Sequence, residues 1–107
     1  MPAKIEIGPA RVADAQVIAD MSRRLVEIGL PWSWTPARVA RHLSHPDSLV
    51  ITARADGELA GFAIMHFGEE VAHLNLLAVD TTYQRLGVGQ QLLAWLERSA
   101  VTAGIFL

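Results

Sequence analysis

The sequence predicts a mixed α/β fold of the α+β type, in which helices cover one mostly antiparallel sheet. Short apolar segments of strand length alternate along the chain with longer amphipathic segments of helix length. An Asp–Gly pair at 56–57 separates two of the apolar segments, and this pair is typical of the tight turn in an antiparallel hairpin. With 107 residues, the chain has the length of a single domain, which we place at residues 1–107.

The first half of the chain is predicted to form a strand and two helices. Residues 4–7 alternate between polar and apolar side chains, as a strand does. Residues 12–28 predict a helix, because apolar side chains recur there every three or four residues. The members of this stripe are Ile18, Met21, Leu25 and Ile28. Thr35 then caps a second helix, with Pro36 in its first position, and Pro46 ends it.

The second half is predicted to form three antiparallel strands, a helix and a final strand. The strands cover residues 49–53, 59–67 and 71–79, the helix covers 90–100, and the final strand covers 105–107. The last of these would return parallel to the preceding strand through a right-handed crossover. Gly61 lies inside a strand that is apolar on both faces, which indicates a bulge or a close backbone approach.

Composition excludes several classes of protein. The net charge of −2 and a pI near 6.0 argue against broad nucleic-acid binding, which needs a basic surface. The absence of cysteine excludes a disulfide framework and a thiolate nucleophile. No apolar run has the length of a membrane span, and the first residues have no apolar signal-peptide core. We therefore expect a cytoplasmic protein with no membrane partner and no metal site.

The apolar content predicts self-association. Hydrophobic residues make up 51% of the chain and the mean hydropathy is +0.28. Small domains bury a smaller fraction of their surface than large ones, so part of this apolar material would remain exposed in a monomer. We expect a homodimer, or a partner that completes the edge left open beside the final strand.

A glycine-bearing loop between a strand and a helix is the strongest functional signal. The first amides of a helix have no partner within the helix, and the helix dipole adds partial positive charge at that end. Gly87 and Gly89 let a ligand approach the backbone there, which predicts a site for phosphate groups. The loop is not the dinucleotide-binding G-x-G-x-x-G, since residue 92 is Leu, and no Gly-Lys-Ser/Thr follows as in a Walker A loop.

The residues around these glycines resemble motif A of the GNAT family of N-acetyltransferases. That motif is an L-x-V strand end, then Asp-Pro-x-Tyr, then a glutamine or arginine, and two glycines. The residues that fit it here are Leu77, Ala78, Val79, Asp80, Tyr83, Gln84, Gly87 and Gly89, with Thr81 in place of the usual proline. The likeness extends over essentially the whole chain. The branch of Rim-type protein N-terminal acetyltransferases is the most similar in its strand and loop sequences.

The resemblance implies acetyl-coenzyme A as donor and a primary amine as acceptor, either a peptide N-terminus or a small molecule. It also implies direct attack of the amine on the thioester. The main chain of the loop would hold the pyrophosphate, through Arg85, Leu86, Gly87, Val88, Gly89 and Gln90, with side-chain help from Gln84 and Arg85. Main-chain groups of Leu77, Ala78 and Val79 would hold the pantetheine arm, and a bulge near 76–77 would splay the strand for it.

The catalytic assignments stay open at this stage. His73 is the first candidate for the base, because it would share a face with Leu77 and Val79 if the strand alternates regularly, and histidine titrates near neutral pH. His66 is a second candidate, and Glu69 or Glu70 could act through water. The family's further helix and strands, which usually carry the general acid, are missing after 105–107. The alternative is therefore a catalytically incomplete module that binds coenzyme A or dimerises.

Two tryptophans lie between the two predicted N-terminal helices. Trp32 and Trp34 occupy the segment that binds the acceptor in this family, and two indoles can line an apolar groove. Both could equally seal the core or an interface. His42 and His45 are expected to be ordinary surface residues.

Overall fold

The fold is a four-stranded antiparallel sheet with helices on both faces. The computed structural model describes residues 4–105. The strands are β1 (Ile5–Pro9), β2 (Ser48–Ala55), β3 (Glu58–Phe67) and β4 (Ala72–Val79), and the helices are α1 (Ala15–Leu25), α2 (Pro36–Ser44) and α3 (Val88–Thr102). The strand order is β1-β2-β3-β4, and every neighbouring pair is antiparallel. The predicted fold class is thereby confirmed.

Two apolar cores lie on opposite faces of the sheet. On one face, α1 and α2 pack over Val50, Phe62 and Ile64, and on the other, α3 packs over Ile51, Ala63 and Met65. Because successive strand residues point to opposite faces, a strand buried on both faces must be apolar, as β3 is from residue 59 to residue 65. Among residues 4–105, no helix is both long and apolar enough to cross a membrane.

Several element boundaries follow from local hydrogen bonds. Thr35 caps α2 as predicted, since its side chain accepts a hydrogen bond from the Arg38 amide at 3.3 Å. The hairpin between β2 and β3 is also confirmed, with Asp56 at φ 51° and Gly57 at φ 88°. Both residues have the positive φ that a two-residue hairpin turn requires.

The first helix is shorter than predicted. Val12–Asp14 forms a separate 3-10 turn, and α1 ends at Leu25. The amides of Val26 and Glu27 both bond to the carbonyl of Ser22, and the chain then leaves the helix axis. Ile28, which we predicted in the buried stripe, is 73% exposed. The predicted membership of Ile28 in the core is therefore wrong.

After α3, the described part of the chain forms no further strand. Ile105 belongs to no strand, and its amide bonds to the carbonyl of Ala100 at the end of α3. Residues 106–107 lie outside the described residues. Within the described part of the chain, β4 therefore pairs with β3 alone.

Two bulges shape the central strands. Between β2 and β3, Ala53 pairs with Gly61 and Arg54 with Leu59, so Ala60 has no partner. A Cβ on Gly61 would lie 2.8 Å from the carbonyl oxygen of Ala78. Both interpretations of this glycine, the bulge and the close approach, are confirmed.

The second bulge lies in β4. Ile64 pairs with Leu76 and Met65 with Leu74, which leaves Asn75 unpaired. The predicted bulge near 76–77 thus occurs one residue earlier. Since the side-chain period of a strand is two, the extra residue exchanges the two faces of β4 on either side of it.

Candidate functional site

An open pocket lies at the loop that connects β4 to α3. Its volume is about 400 Å³. The residues that line it are Val79, Tyr83, Gln84, Arg85, Gly87, Val88, Gly89 and Gln90. All except Tyr83 were predicted from the sequence to bind the cofactor. The structure therefore brings the predicted loop residues together around one space.

The loop backbone takes an unusual conformation before α3. Arg85 has φ 65° and Gly87, the N-cap of α3, has φ 82°, so the chain takes left-handed conformations twice before the helix begins. The Gln91 amide bonds to the Gly87 carbonyl at 3.0 Å. Within residues 4–105, no hydrogen bond of ordinary geometry joins an amide of residues 85–90 to a protein acceptor. Such a run of free amides at a helix N-terminus attracts an anion.

Asp80 fixes the entry to this loop. Its carboxylate accepts a hydrogen bond from the Thr82 amide at 3.2 Å and another from Arg24 of α1 at 2.9 Å. The Thr82 bond is the largest cause, with Arg24 adding to it, that lowers the pKa of Asp80 against the opposing effect of burial. The sequence motif contained Asp80 but could not identify Arg24, which lies 56 residues earlier.

Gln84 closes the loop onto the end of β4. Its side-chain amide donates to the carbonyl oxygen of Val79 at 3.0 Å. This bond holds the start of the loop against the strand. The direct contact of Gln84 with the cofactor stays a prediction, and Gln84 lines the pocket.

The end of β4 forms one side of the pocket. Leu77 and Val79 pack with α3, and a Cβ built on Gly89 would lie 3.7 Å from Val79 and 3.9 Å from Leu77. The side chain of Ala78 is buried on the opposite face, under α1 and α2, so only its main chain can reach this site. Leu86 is 60% exposed and does not line the pocket.

Tyr83 is the residue of this pocket that sequence reasoning did not assign to it. Its position in the motif was the available signal. Burial, with Glu58 and Asp56 adding to it, raises the pKa of Tyr83. The phenol therefore keeps its proton at neutral pH and can donate a hydrogen bond to a ligand.

His73 does not lie where regular alternation places it. The bulge at Asn75 separates His73 from Leu77, so the two residues face opposite sides of the sheet. His73 is exposed near the start of β4 and pairs across the sheet with His66. The prediction that His73 shares a face with Leu77 and Val79 is wrong. The pairing of β4 with β3 introduces the bulge at Asn75, and the bulge moves His73 to the other face.

The two tryptophans support the packing of α1 and α2. Trp34 is buried in the core on that face of the sheet, and the Trp32 indole donates to the Ala19 carbonyl of α1 at 3.2 Å. Neither residue lines the pocket at the N-terminus of α3. Of the two interpretations left open, the core-sealing one describes Trp34.

A buried carboxylate holds the loop that contains these tryptophans. Glu27 accepts hydrogen bonds from the amides of Ser33, at 2.7 Å, and Trp34, at 3.3 Å, and from the hydroxyl of Ser22 at 3.1 Å. Burial opposes ionisation of Glu27, but the bonds from Ser33, Trp34 and Ser22 outweigh it and lower the pKa of Glu27. Glu27 therefore remains a charged cap for this loop at neutral pH.

The described part of the chain contains no cluster of side chains suited to a metal ion. Across residues 4–105, no group of three or more histidine, aspartate or glutamate side chains is arranged to hold a metal ion.

Comparison with known proteins agrees with this geometry. The model of the acetyltransferase (GNAT) family matches residues 18–107. An N-alpha-acetyltransferase RimI from Mycobacterium tuberculosis is 33% identical over an alignment 93 residues long, which covers 83% of this chain and 58% of the relative. The chain thus spans well under two thirds of the length of that relative.

Solved structures share the fold. The ribosomal-protein-S18-alanine N-acetyltransferase from Escherichia coli has a TM-score of 0.81 and 26% identity, over 95% of this chain and 63% of that one. The PaiA N-acetyltransferase from Thermoplasma acidophilum, in complex with coenzyme A, has a TM-score of 0.81 and 22% identity, over 95% of this chain and 75% of that one. The family match covers most of the sequence and the fold agrees with it, so the chain belongs to the acetyltransferase (GNAT) family.

Proposed function

We propose that this chain is the acetyl-coenzyme A-binding part of an N-acetyltransferase that acetylates a primary amine. The observation that carries the proposal is the run of amides at residues 85–90. They make no hydrogen bond of ordinary geometry within residues 4–105, and their residues border an open pocket. Backbone amides at a helix N-terminus suit the two charged phosphates of the coenzyme A diphosphate. Family membership and the coenzyme A complex of the PaiA enzyme support the same cofactor.

The residues present fit the cofactor. The amides of Arg85 to Gln90 would bind the diphosphate, and the main chain at the end of β4 would bind the pantetheine arm along the edge that no described strand covers. When bound, acetyl-coenzyme A supplies the activated acetyl group as a thioester. Gly89 keeps the approach to Val79 and Leu77 free of a side chain.

The acceptor is proposed to be a protein N-terminus or a small amine. The names of the mycobacterial and Escherichia coli relatives, an N-alpha-acetyltransferase and a ribosomal-protein-alanine N-acetyltransferase, favour the first. The amine must lose a proton before it attacks. The structure removes the shared face that favoured His73, so His73 and its cross-strand partner His66 stay untested candidates for accepting that proton.

Calorimetry and hydrogen exchange test cofactor binding. We expect coenzyme A to bind and to slow amide exchange at residues 85–90, and Gly87→Trp to abolish both effects by filling the loop. ATP should compete poorly, because it lacks the pantetheine arm. Absence of binding at high micromolar coenzyme A, in a protein shown to be folded, would contradict the proposal.

Activity measurements separate an enzyme from a module that only binds coenzyme A. Acetyl transfer to a panel of peptides and small amines should occur with wild-type protein. If His73 accepts the proton, His73→Asn should lower kcat while coenzyme A affinity stays unchanged, and His66→Asn serves as the comparison. Binding without transfer to any amine would favour the incomplete module.

The proposed setting of the protein is a homodimer in the cytoplasm. The outer edge of β4 has no strand partner within residues 4–105, and such an edge favours association. Light scattering should give twice the mass of one chain, and a monomer at working concentrations would count against the dimer.

A further inference from the structure

A second pocket lies at the far end of the sheet from the loop before α3. It has a volume of about 290 Å³ and lies between α2 and the adjoining ends of β2 and β3. The residues that line it are Arg38, Arg41, His42, His45, Ser48 and His66. On β3, His66 is five residues from Gly61, the partner of Val79, which is roughly 16 Å along the strand. The two pockets are therefore separate.

Arginine and histidine dominate the lining of this pocket, with Ser48 as its other member. Two arginines and three histidines converge on it, although the chain as a whole carries a net charge of −2. In the described part of the chain, no carboxylate lies within ion-pair distance of Arg38 or Arg41. Arginines that converge without a carboxylate partner leave their N–H donors available to an anion.

The basic groups are held in position by the protein. The Arg38 guanidinium stacks on the Trp34 ring at 3.9 Å from its centroid and donates to the Ser33 carbonyl at 3.5 Å. Arg38 and Arg41 are three residues apart on α2 and thus lie on neighbouring turns of one helix face. Arg38 is therefore in place before any ligand arrives, with Arg41 exposed beside it.

The histidines form one hydrogen-bonded group. Ser48 Oγ lies 3.0 Å from Nδ1 of His42 and 3.4 Å from Nδ1 of His66, so the hydroxyl bridges the two rings. The His45 ring packs at 5.6 Å from the His66 ring, and its Nδ1 accepts a hydrogen bond from the Asp47 amide. In these rings Nε2 is the nitrogen left to meet a ligand.

The positive charges on these side chains repel one another when the pocket holds no anion. Burial, with the neighbouring Arg38, His66 and His45 adding to it, lowers the pKa of His42. An anion in the pocket would relieve this repulsion and favour the protonated ring, so binding and protonation are linked. His42 was expected to be an ordinary surface residue, and it is half-buried within this group.

We propose that this pocket binds a small tetrahedral oxyanion with two negative charges, of the phosphate or sulfate type. The two guanidinium groups would supply paired donors, and the imidazoles would supply further N–H groups as they become protonated. Affinity should therefore rise as pH falls. The titratable groups that face this anion are the three lining histidines, with His73 of β4 beside His66 and Asp47 as the adjoining carboxylate.

Sulfate is the sharper probe, because its charge does not change near neutral pH. We would follow the ring signals of the four histidines by NMR during sulfate addition, with coenzyme A present in excess to occupy any diphosphate site. Sodium chloride at equal ionic strength is the control for screening. We expect saturable shifts at His42, His45 and His66, an upward shift in the pKa of His42, and tighter binding at about pH 6 than at about pH 8.

Variants decide whether the pocket is responsible. Arg41 is exposed, so Arg41→Gln should fold normally and weaken sulfate binding roughly tenfold, and His66→Gln should weaken it independently. Arg98→Gln removes an exposed arginine on α3 and should leave sulfate binding unchanged. Equal shifts with chloride, or undiminished sulfate binding in both Arg41→Gln and His66→Gln, would overturn the proposal. Coenzyme A binding is read separately, so its failure would not affect this result.

Discussion

Arg24 of α1 donates a hydrogen bond at 2.9 Å to the carboxylate of Asp80, the residue that follows β4. The same carboxylate accepts the Thr82 amide and shapes the turn before the glycine-bearing loop. A helix on one face of the sheet is thus joined to the loop that begins the helix on the other face. Asp80 couples the packing of α1 to the geometry of the candidate cofactor site.

Replacement of Asp80 should make stability less dependent on acid pH. The carboxyl pKa of Asp80 is lowered in the folded protein from its ordinary value of 3.8, mainly by the Thr82 amide and also by Arg24. A lowered pKa stabilises the folded state above the unfolded-state value, and that contribution is lost as pH falls through the folded-state value. Asp80→Asn keeps an acceptor for Thr82 but removes the charge.

The pH experiment compares melting temperatures between about pH 6 and about pH 3. At neutral pH, we expect Asp80→Asn to cost about 0.2–1 kcal/mol, the range for solvent-exposed ion pairs, because the Arg24 side chain is 54% exposed. The difference from wild type should shrink toward pH 3. Asp47→Asn changes an exposed aspartate and is the control. A difference that stays constant over this range would contradict the assignment.

Gly87 should be required for its backbone conformation at the N-terminus of α3. Its φ of 82° is strained for other residues, so Gly87→Ala should destabilise the protein by about 1–2 kcal/mol. The substitution should also weaken coenzyme A binding, since it changes the loop that lines the pocket. Calorimetry for binding and urea denaturation for stability measure the two effects.

Gly29 provides the matched control for this substitution. It has φ 73°, and a Cβ there would meet no atom within 4 Å, while a Cβ on Gly87 would meet only the Gln91 side chain, at 4.0 Å. Gly29 lies between α1 and α2 and does not line the pocket. Gly29→Ala should cost a similar free energy of unfolding and leave coenzyme A affinity unchanged. Equal losses of affinity in both variants would indicate a general effect of stability.

Gly61 should be required for the contact between two strands. A Cβ at this position would lie 2.8 Å from the Ala78 carbonyl oxygen and 3.4 Å from the side chain of Leu92. Backbone cannot move aside easily, so we expect Gly61→Ala to lower the free energy of unfolding by about 1–3 kcal/mol. Gly8→Ala is the control in β1, where a Cβ meets no atom within 4 Å. Similar stability of the two variants would contradict the close approach.

Glu27 should stabilise the loop between α1 and α2 through its charge. Glu27→Gln keeps the size of the side chain but turns one acceptor into a donor, which would face the N–H and O–H donors of Ser33 and Ser22. We expect a loss of about 1–3 kcal/mol in urea denaturation, the cost of buried polar groups left without a partner. Exposed Glu69→Gln should be neutral, and an equally neutral Glu27→Gln would argue against the carboxylate as the cap of this loop.

The order of the elements, the hairpin turn, the cap of α2 and the pocket-lining loop could all be predicted from the sequence. These features depend on residues within a few positions of one another, whose φ preferences and hydrogen bonds act locally, as at Asp56–Gly57 and Thr35. The loop at 84–90 is predictable for the same reason. Its glycines and the start of the next helix are contiguous in the chain.

The tertiary structure alone decided which residues meet across the chain. The face of His73 depends on the bulge at Asn75, and that bulge is set by pairing with β3 and not by the sequence period of β4. The basic pocket gathers α2 and two strand ends, and Arg24 reaches Asp80 across 56 residues. Local periodicity carries no information about such contacts, because they form only when the sheet register and the helix packing are fixed together.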